Sequence, residues 1–264
     1  MAYNLTDYSF DQFQEMVKTC PTVILPVGLI EQHGHHLPLG TDIFNVTEPI
    51  RIGFDRINAF IAPGLHYCFS GGGIQGTMNV NPQLFGLMVS DICSEFVRMG
   101  FKNIIFFLGH GGTDNINALR TSLQMVLRRN DSMKDIAICL ATCSSFSETS
   151  AAIFKQDGIE CDFHAGMGET SRMLYWKPEL VHMERLAMDE PEIAKNLRSD
   201  QDWFEHHEKA YDHPLVIDRV TQREEVKIGV MGFPERASAE IGEKVCNEVI
   251  DGLSKLVDEL NNRF

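Results

Sequence analysis

The sequence predicts an α/β fold in three layers, with helices on both faces of a central, mostly parallel sheet. Two runs carry that prediction. Residues 22–29 (TVILPVGL) and 103–108 (NIIFFL) are almost continuously apolar, short, and followed at once by glycine- and histidine-bearing loops. Strands covered on both faces read this way, because neither set of alternate side chains meets water. The third observation is what separates them: segments with apolar residues at spacings of three and four, so that strands alternate with helices along the chain. The 264 residues and 44% apolar content suit one such domain over 1–264.

The elements follow in order. Phe10, Phe13, Met16 and Val17 predict a helix within residues 7–19, with Asp7 as its cap and Pro21 as its stop. Residues 22–29 form the first buried strand. Thr41 and Asp42 open a second helix to about residue 57, with Ile43, Val46, Ile50 and Ile57 on one face. A short strand is expected at 59–63. Residues 69–77 (FSGGGIQGT) have neither dinucleotide-fingerprint spacing nor a GKS/GKT end, so they read as a flexible loop near a pocket with no phosphate role. A helix over 82–99 ends at Gly100, the strand 103–108 follows, and 115–129 and 135–142 read as the next helix and strand. Residues 162–171 lead into a helix reaching Tyr175, which Pro178 breaks. Residues 189–213 are charged and polar, and read as a solvated excursion, either a lid or an oligomer contact, with His206 and His207 facing water. The last helix spans 238–261, carrying Ile241, Val245, Val249, Leu253, Leu256 and Leu260 on one stripe.

Bulk properties narrow the function. A net charge of −14 argues against nucleic acid and anionic membrane as partners, since both need a positive face. The first residues lack the basic and apolar regions of a secretory signal, and the longest apolar stretch cannot cross a bilayer. Seven cysteines without a ladder of spacings and without a CxxC read as reduced thiols, which predicts a cytoplasmic location.

The chemistry concentrates where the first strand ends. Residues 31–42 (EQHGHHLPLGTD) hold two carboxylates and three imidazoles, a density that packing does not require. In an extended segment Glu31 and His33 share a face, and Asp42 can swing back from the next helix. His110 sits among glycines at the end of the second buried strand, and ligand crevices of open α/β sheets lie just beyond such strand ends. A third loop, 164–171 (HAGMGETS), brings His164 and Glu169 into a helix. His35 and His36 can line a pocket, support ligands or face water.

The pattern Pro26-x-Gly28-x-x-Glu31-Gln32-His33-Gly34-x-His36-Leu37-Pro38-x-x-Thr41-Asp42 resembles the creatininase family of creatinine amidohydrolase-like enzymes. Gly109-His110-Gly111-Gly112 and His164-Ala165-Gly166-x-x-Glu169-Thr170-Ser171 match its other motifs, and weaker similarity runs through residues 178–181 and 228–234. The resemblance implies two divalent metal ions per subunit, zinc foremost with manganese or iron as alternatives. Glu31 and His110 would serve one, His33 and Glu169 the other, with Asp42 bridging. It implies His164 as the catalytic residue that handles protons, and a homo-oligomer, commonly a hexamer. The expected reaction is hydrolysis of a C–N bond in a small cyclic or formyl amide. Its alternatives are opening of a cyclic ketone at a C–C bond and a non-catalytic metal-binding assembly subunit. Creatininases proper carry Tyr and Glu where this chain has Gly111 and Gly112, and Glu where Phe163 stands. The family usually has Asn where Thr113 stands. The pocket is therefore expected to differ, with His36 and Thr113 as substrate-contact candidates and no clamp assigned to Trp176 or Trp203.

Overall fold

The two apolar runs lie side by side at the centre of one sheet. The computed structural model describes residues 1–149, 152–153 and 161–263. Strands β1 (Tyr3–Asn4), β2 (Thr22–Val27), β3 (Phe60–Ile61), β4 (Asn103–Leu108) and β5 (Ala137–Thr142) stand in the spatial order β1-β3-β2-β4-β5. Every pairing in this sheet is parallel, so the expected mostly parallel sheet is here parallel throughout. β2 and β4 pair over their full lengths, from Thr22 with Asn103 to Val27 with Leu108. Pro26, which has no N–H to give, is tolerated in a central strand because of where its nitrogen falls. It lies between the bonds of Ala62 N to Ile24 O and of Leu65 N to Pro26 O, where β3 has already ended.

Alternation of side chains divides the core into two. Val23, Leu25, Ile104 and Phe106 face one side, where Phe85, Val89 and Phe96 of α3 (Pro82–Arg98) and Leu119 and Leu123 of α4 (Thr113–Arg129) cover them. Phe13 of α1 (Phe10–Met16) joins the same layer. Ile24, Ile105 and Phe107 face the other side, against Val46 and Ile50 of α2 (Thr41–Ile52) and Val245, Val249, Leu253 and Val257 of α7 (Ala239–Asn261). Those four α7 residues are fully buried, and each such side chain contributes about 1.5–3 kcal/mol as an upper figure. Helix α5 (Met167–Trp176) packs along α7 and completes this layer.

The boundaries differ from the sequence reading in physically legible ways. Ser9, not Asp7, caps α1, in a reciprocal pair with Gln12. α2 ends at Ile52 rather than near 57, because Gly53 caps it where the chain brushes α7: a Cβ there would come within 2.6 Å of Ile250. The excursion 189–213 is tied in at its start. Buried Asp189 accepts the backbone N–H groups of Lys227, Ile228 and Gly229, and α6 (Pro191–Ser199) buries Ala194 and Leu197. The rest of it meets water, at Glu192 and Lys195 on the outer side of α6 and again in an antiparallel pair of β6 (Glu205–Glu208) and β7 (Arg219–Gln222), where His206 and His207 are exposed.

Candidate metal centre

Three chain segments meet beyond the carboxyl ends of β2 and β4. The first leaves β2 as a loop, which Glu31 N closes by donating to Leu39 O before Thr41 starts α2. Asp42 therefore stands in the first turn of α2, pointing back at the loop that precedes it. The second segment leaves β4 through Gly109, whose N–H donates to Val27 O. A Cβ at Gly109 would lie 1.8 Å from the backbone oxygen of Asp42, so glycine alone lets α2 approach β4 closely enough to bring Asp42 to His110. The third is the loop before α5. Asp162 organises it by accepting N–H groups from Met167 (2.8 Å), Gly168 (2.9 Å) and Phe233 (3.0 Å). Ala165 turns there with φ +54°, a left-handed conformation held by its N–H donating to Glu169 Oε2 at 2.8 Å.

The five residues expected as ligands converge. His33 Nε2 lies 3.4 Å from Asp42 Oδ1 and 3.5 Å from Glu169 Oε2. His110 Nδ1 lies 2.9 Å from Glu31 Oε2 and 3.6 Å from Asp42 Oδ2. Asp42, 1% exposed, thus offers one oxygen to each histidine. Potential ligand atoms form groups within 4.8 Å: Glu31, Asp42 and His110; His33, Asp42 and Glu169; and Glu31, His33 and His164. Asp42 belongs to the first two groups. Glu31 and His33 both bring potential ligand atoms to the cluster, and the chain turns left-handed only after them, at Gly34 with φ +64°. His33 Nδ1 donates to the Glu31 carbonyl at 3.1 Å, which leaves its Nε2 for the cluster.

A cation fits this donor set. Glu31 Oε2, His33 Nε2 and Asp42 Oδ2 are buried and make no hydrogen bond, His110 Nδ1 being close to Glu31 but off the line a bond needs. Burial pushes the Glu31 and Glu169 carboxyls up. The imidazoles outweigh it, His110 and His164 around Glu31 and His33 beside Glu169, and hold both below the usual carboxylate range. Burial works against the imidazolium forms of His33 and His110, yet the facing carboxylates raise both, His110 to about 10. Protons thus do in these surroundings what divalent ions can do better. The donors are oxygen and nitrogen only, which suits zinc, manganese or iron.

His164 completes the pocket. Its Nε2 lies 3.2 Å from Gln32 Nε2, its Nδ1 3.9 Å from Glu31 Oε2, and its ring 4.2 Å from that of His33. Burial, then the charge of His33, lowers its pKa, so it is neutral near pH 7. The cavity in front of the cluster measures about 270 Å³, room for a small molecule, and Thr113, Phe163, Phe204, Glu205 and Gln222 are among the residues that rim it. Thr113 accepts from Gln201 Nε2 at 2.6 Å. His36 is placed elsewhere than a substrate contact requires: fully buried, with Nε2 against Thr170 Oγ1 at 3.0 Å and its pKa pushed down to about 4 by burial, it props the third loop from behind. His35 is exposed. Trp176 is buried with its indole N–H on Cys246, and Trp203 lies under Arg223.

Sequence reasoning missed the residues that hold the candidate ligands. Ser70, in the glycine-rich loop, donates to Glu31 Oε1. Asn45 donates from Nδ2 to Glu169 Oε1 (3.0 Å) and Gly109 O (3.2 Å), and Arg172 Nε donates to Asn45 Oδ1. Asn45 is three residues after Asp42 and Arg172 three after Glu169, the helical spacing that puts each beside its ligand. That signal was available.

Comparison with known proteins finds the family that the motifs resemble. The family model Creatininase, described as creatinine amidohydrolase, matches residues 6–257. A creatinine amidohydrolase of Pseudomonas putida is 26% identical over 90% of this chain and 88% of its own length. A 3-dehydro-scyllo-inosose hydrolase of Thermotoga maritima is 26% identical over 96% of this chain and 82% of its own. A solved structure named Creatininase Mn superposes with a TM-score of 0.76 at 25% identity, covering 98% of both chains.

Proposed function

The chain belongs to the creatininase family and is a hydrolase, and from that premise we propose that it hydrolyses a C–N bond in a small cyclic or formyl amide at a centre of two divalent metal ions. Glu31 and His110 would hold one ion, His33 and Glu169 the other, and Asp42 both. The observation that carries this reading is the pair of oxygens that Asp42 turns to two histidines, each with its own second carboxylate. When bound, the ions supply Lewis acidity that makes a water nucleophilic near neutral pH and polarises the carbonyl it attacks.

The remaining work falls to the chain. Ser70 and Asn45 fix the carboxylates of Glu31 and Glu169 by hydrogen bonds, so that the ligands need not reorganise. His164, neutral and with Nδ1 toward the cluster, takes a proton during addition and returns it to the leaving nitrogen. Thr113, Phe163 and the β6–β7 side of the cavity border the substrate, with residues 189–213 acting as its lid, and the protein works as a cytoplasmic homo-oligomer. The inosose hydrolase among the relatives favours one second reading, attack of the same water on a cyclic ketone. A panel of small cyclic amides, formyl amides and cyclic ketones, assayed with zinc and with manganese, separates the two. Turnover of amides that stops on chelation and returns with metal is the expected result. Turnover of ketones alone, or none that depends on metal, would remove the amide reading.

A further inference from the structure

Arg172 lies one turn beyond Glu169 on α5, is 9% exposed, and lines the cavity. Its Nε donates to Asn45 Oδ1 at 3.1 Å, which fixes the plane of the guanidinium. Its Nη2 is 3.9 Å from Glu169 Oε1, outside hydrogen-bond reach. Among the described residues neither Nη group makes a hydrogen bond. The neighbouring carboxylates are committed elsewhere. Glu169 Oε1 accepts from Asn45 and Oε2 from Ala165 N, while both oxygens of Asp162 take backbone N–H groups. Nη1 faces Gly168, where a Cβ would stand only 3.5 Å away, so the missing side chain leaves space beside the charge.

The Nη donors are unused by the chain yet not sealed from the cavity, so a ligand there can take them. Those donors form a fork whose spacing matches the two oxygens of a carboxylate. We propose that Arg172 is the carboxylate-binding subsite of this cavity, and that the substrate is a small amide that also carries a carboxylate. This rests on the reading of the cavity as the amide-hydrolase site. A singly charged, planar anion is favoured over a phosphate, since Glu31, Asp42, Asp162 and Glu169 line the same space and repel a dianion more strongly. The rival role for Arg172, a counter-charge that only steadies Glu169, predicts loss of metal and no ligand preference.

The test is a binding comparison that needs no turnover. The metal-loaded protein is titrated by calorimetry with 5-oxoproline, a cyclic amide bearing a carboxylate, and with its neutral counterpart 2-pyrrolidinone. The wild type is expected to prefer the charged ligand by about tenfold or more, and Arg172→Met to lose that preference at unchanged metal content. Arg172→Lys, which keeps the charge but lacks the fork, should retain part of it, and it carries the test if the methionine variant does not fold. No preference in the wild type, whether both ligands bind alike or neither binds, overturns the proposal, as does an undiminished preference in the variants. Loss of metal together with the preference overturns it in favour of the counter-charge role. A preference that persists while no amide is turned over by the wild type would instead count against the hydrolytic reading alone.

Discussion

Replacing Gly109 by alanine tests whether the approach of α2 to β4 is what assembles the centre. The added Cβ would sit 1.8 Å from Asp42 O, 2.7 Å from its carbonyl carbon and 3.2 Å from its Cα, all of them backbone atoms with no rotamer to change. Real Cβ atoms keep about 3.0 Å or more from such neighbours, so the first turn of α2 must retreat by roughly 1.2 Å. Overpacking of that kind costs ~1–3 kcal/mol or more, which in a chain of this size lowers Tm by roughly 3–10 °C. A metal site tolerates only about 0.2 Å in its bond lengths, so Asp42 can no longer serve both histidines. Gly111→Ala, two residues on, is the control. A Cβ there meets nothing within 4 Å, and its effect should stay within about 0.5 kcal/mol. Thermal unfolding of the metal-free proteins reads the packing cost, and elemental analysis of the loaded ones reads occupancy. If the Gly109 variant melts with the wild type and carries the same metal, the close approach is not what builds the site.

Other outcomes follow from the same geometry. Asp42→Ala should lose metal and activity together, and full metal content by elemental analysis would end the bridging role. His164→Ala should keep its metals and lose at least a hundredfold in kcat; unchanged kinetics would remove the residue from the mechanism. Metal uptake should strengthen as pH rises from about 6 to 9, because His110, raised to about 10, must give up its proton to bind. The metal-free protein should do the opposite: a raised His110 lends stability below its unfolded pKa, and that stability drains as pH climbs toward about 10. Chemical denaturation across that range, with and without metal, reads both slopes, and parallel slopes would contradict the assignment.

The sheet was legible because β2 and β4 are buried on both faces, and such burial writes itself as unbroken apolar runs. The candidate ligands could be named from sequence because carboxylates and imidazoles crowd where a buried strand ends. The short strands β1 and β3 are harder, being two residues each and stabilised by the neighbours they pair with rather than by a pattern of their own. The supports of the centre were illegible for another reason. Ser70, Asp162 and Asp189 act by bonding to groups that only the fold brings near, and their own neighbours in sequence carry no trace of it. Within 189–213, most of which is exposed or half-buried, Asp189 stands apart for the same cause, being buried with its oxygens taken by backbone N–H groups.

The centre and the rim of the cavity are built from different stretches of chain. The donors come from strand exits and the start of α5, locked to the sheet by Gly109 and Asp162, whereas Phe204, Glu205 and Gln222 come from the β6–β7 side. A change in the rim can therefore leave the cluster of carboxylates and imidazoles in place. One architecture can in this way carry more than one specificity, and relatives of this chain are named for creatinine and for an inosose.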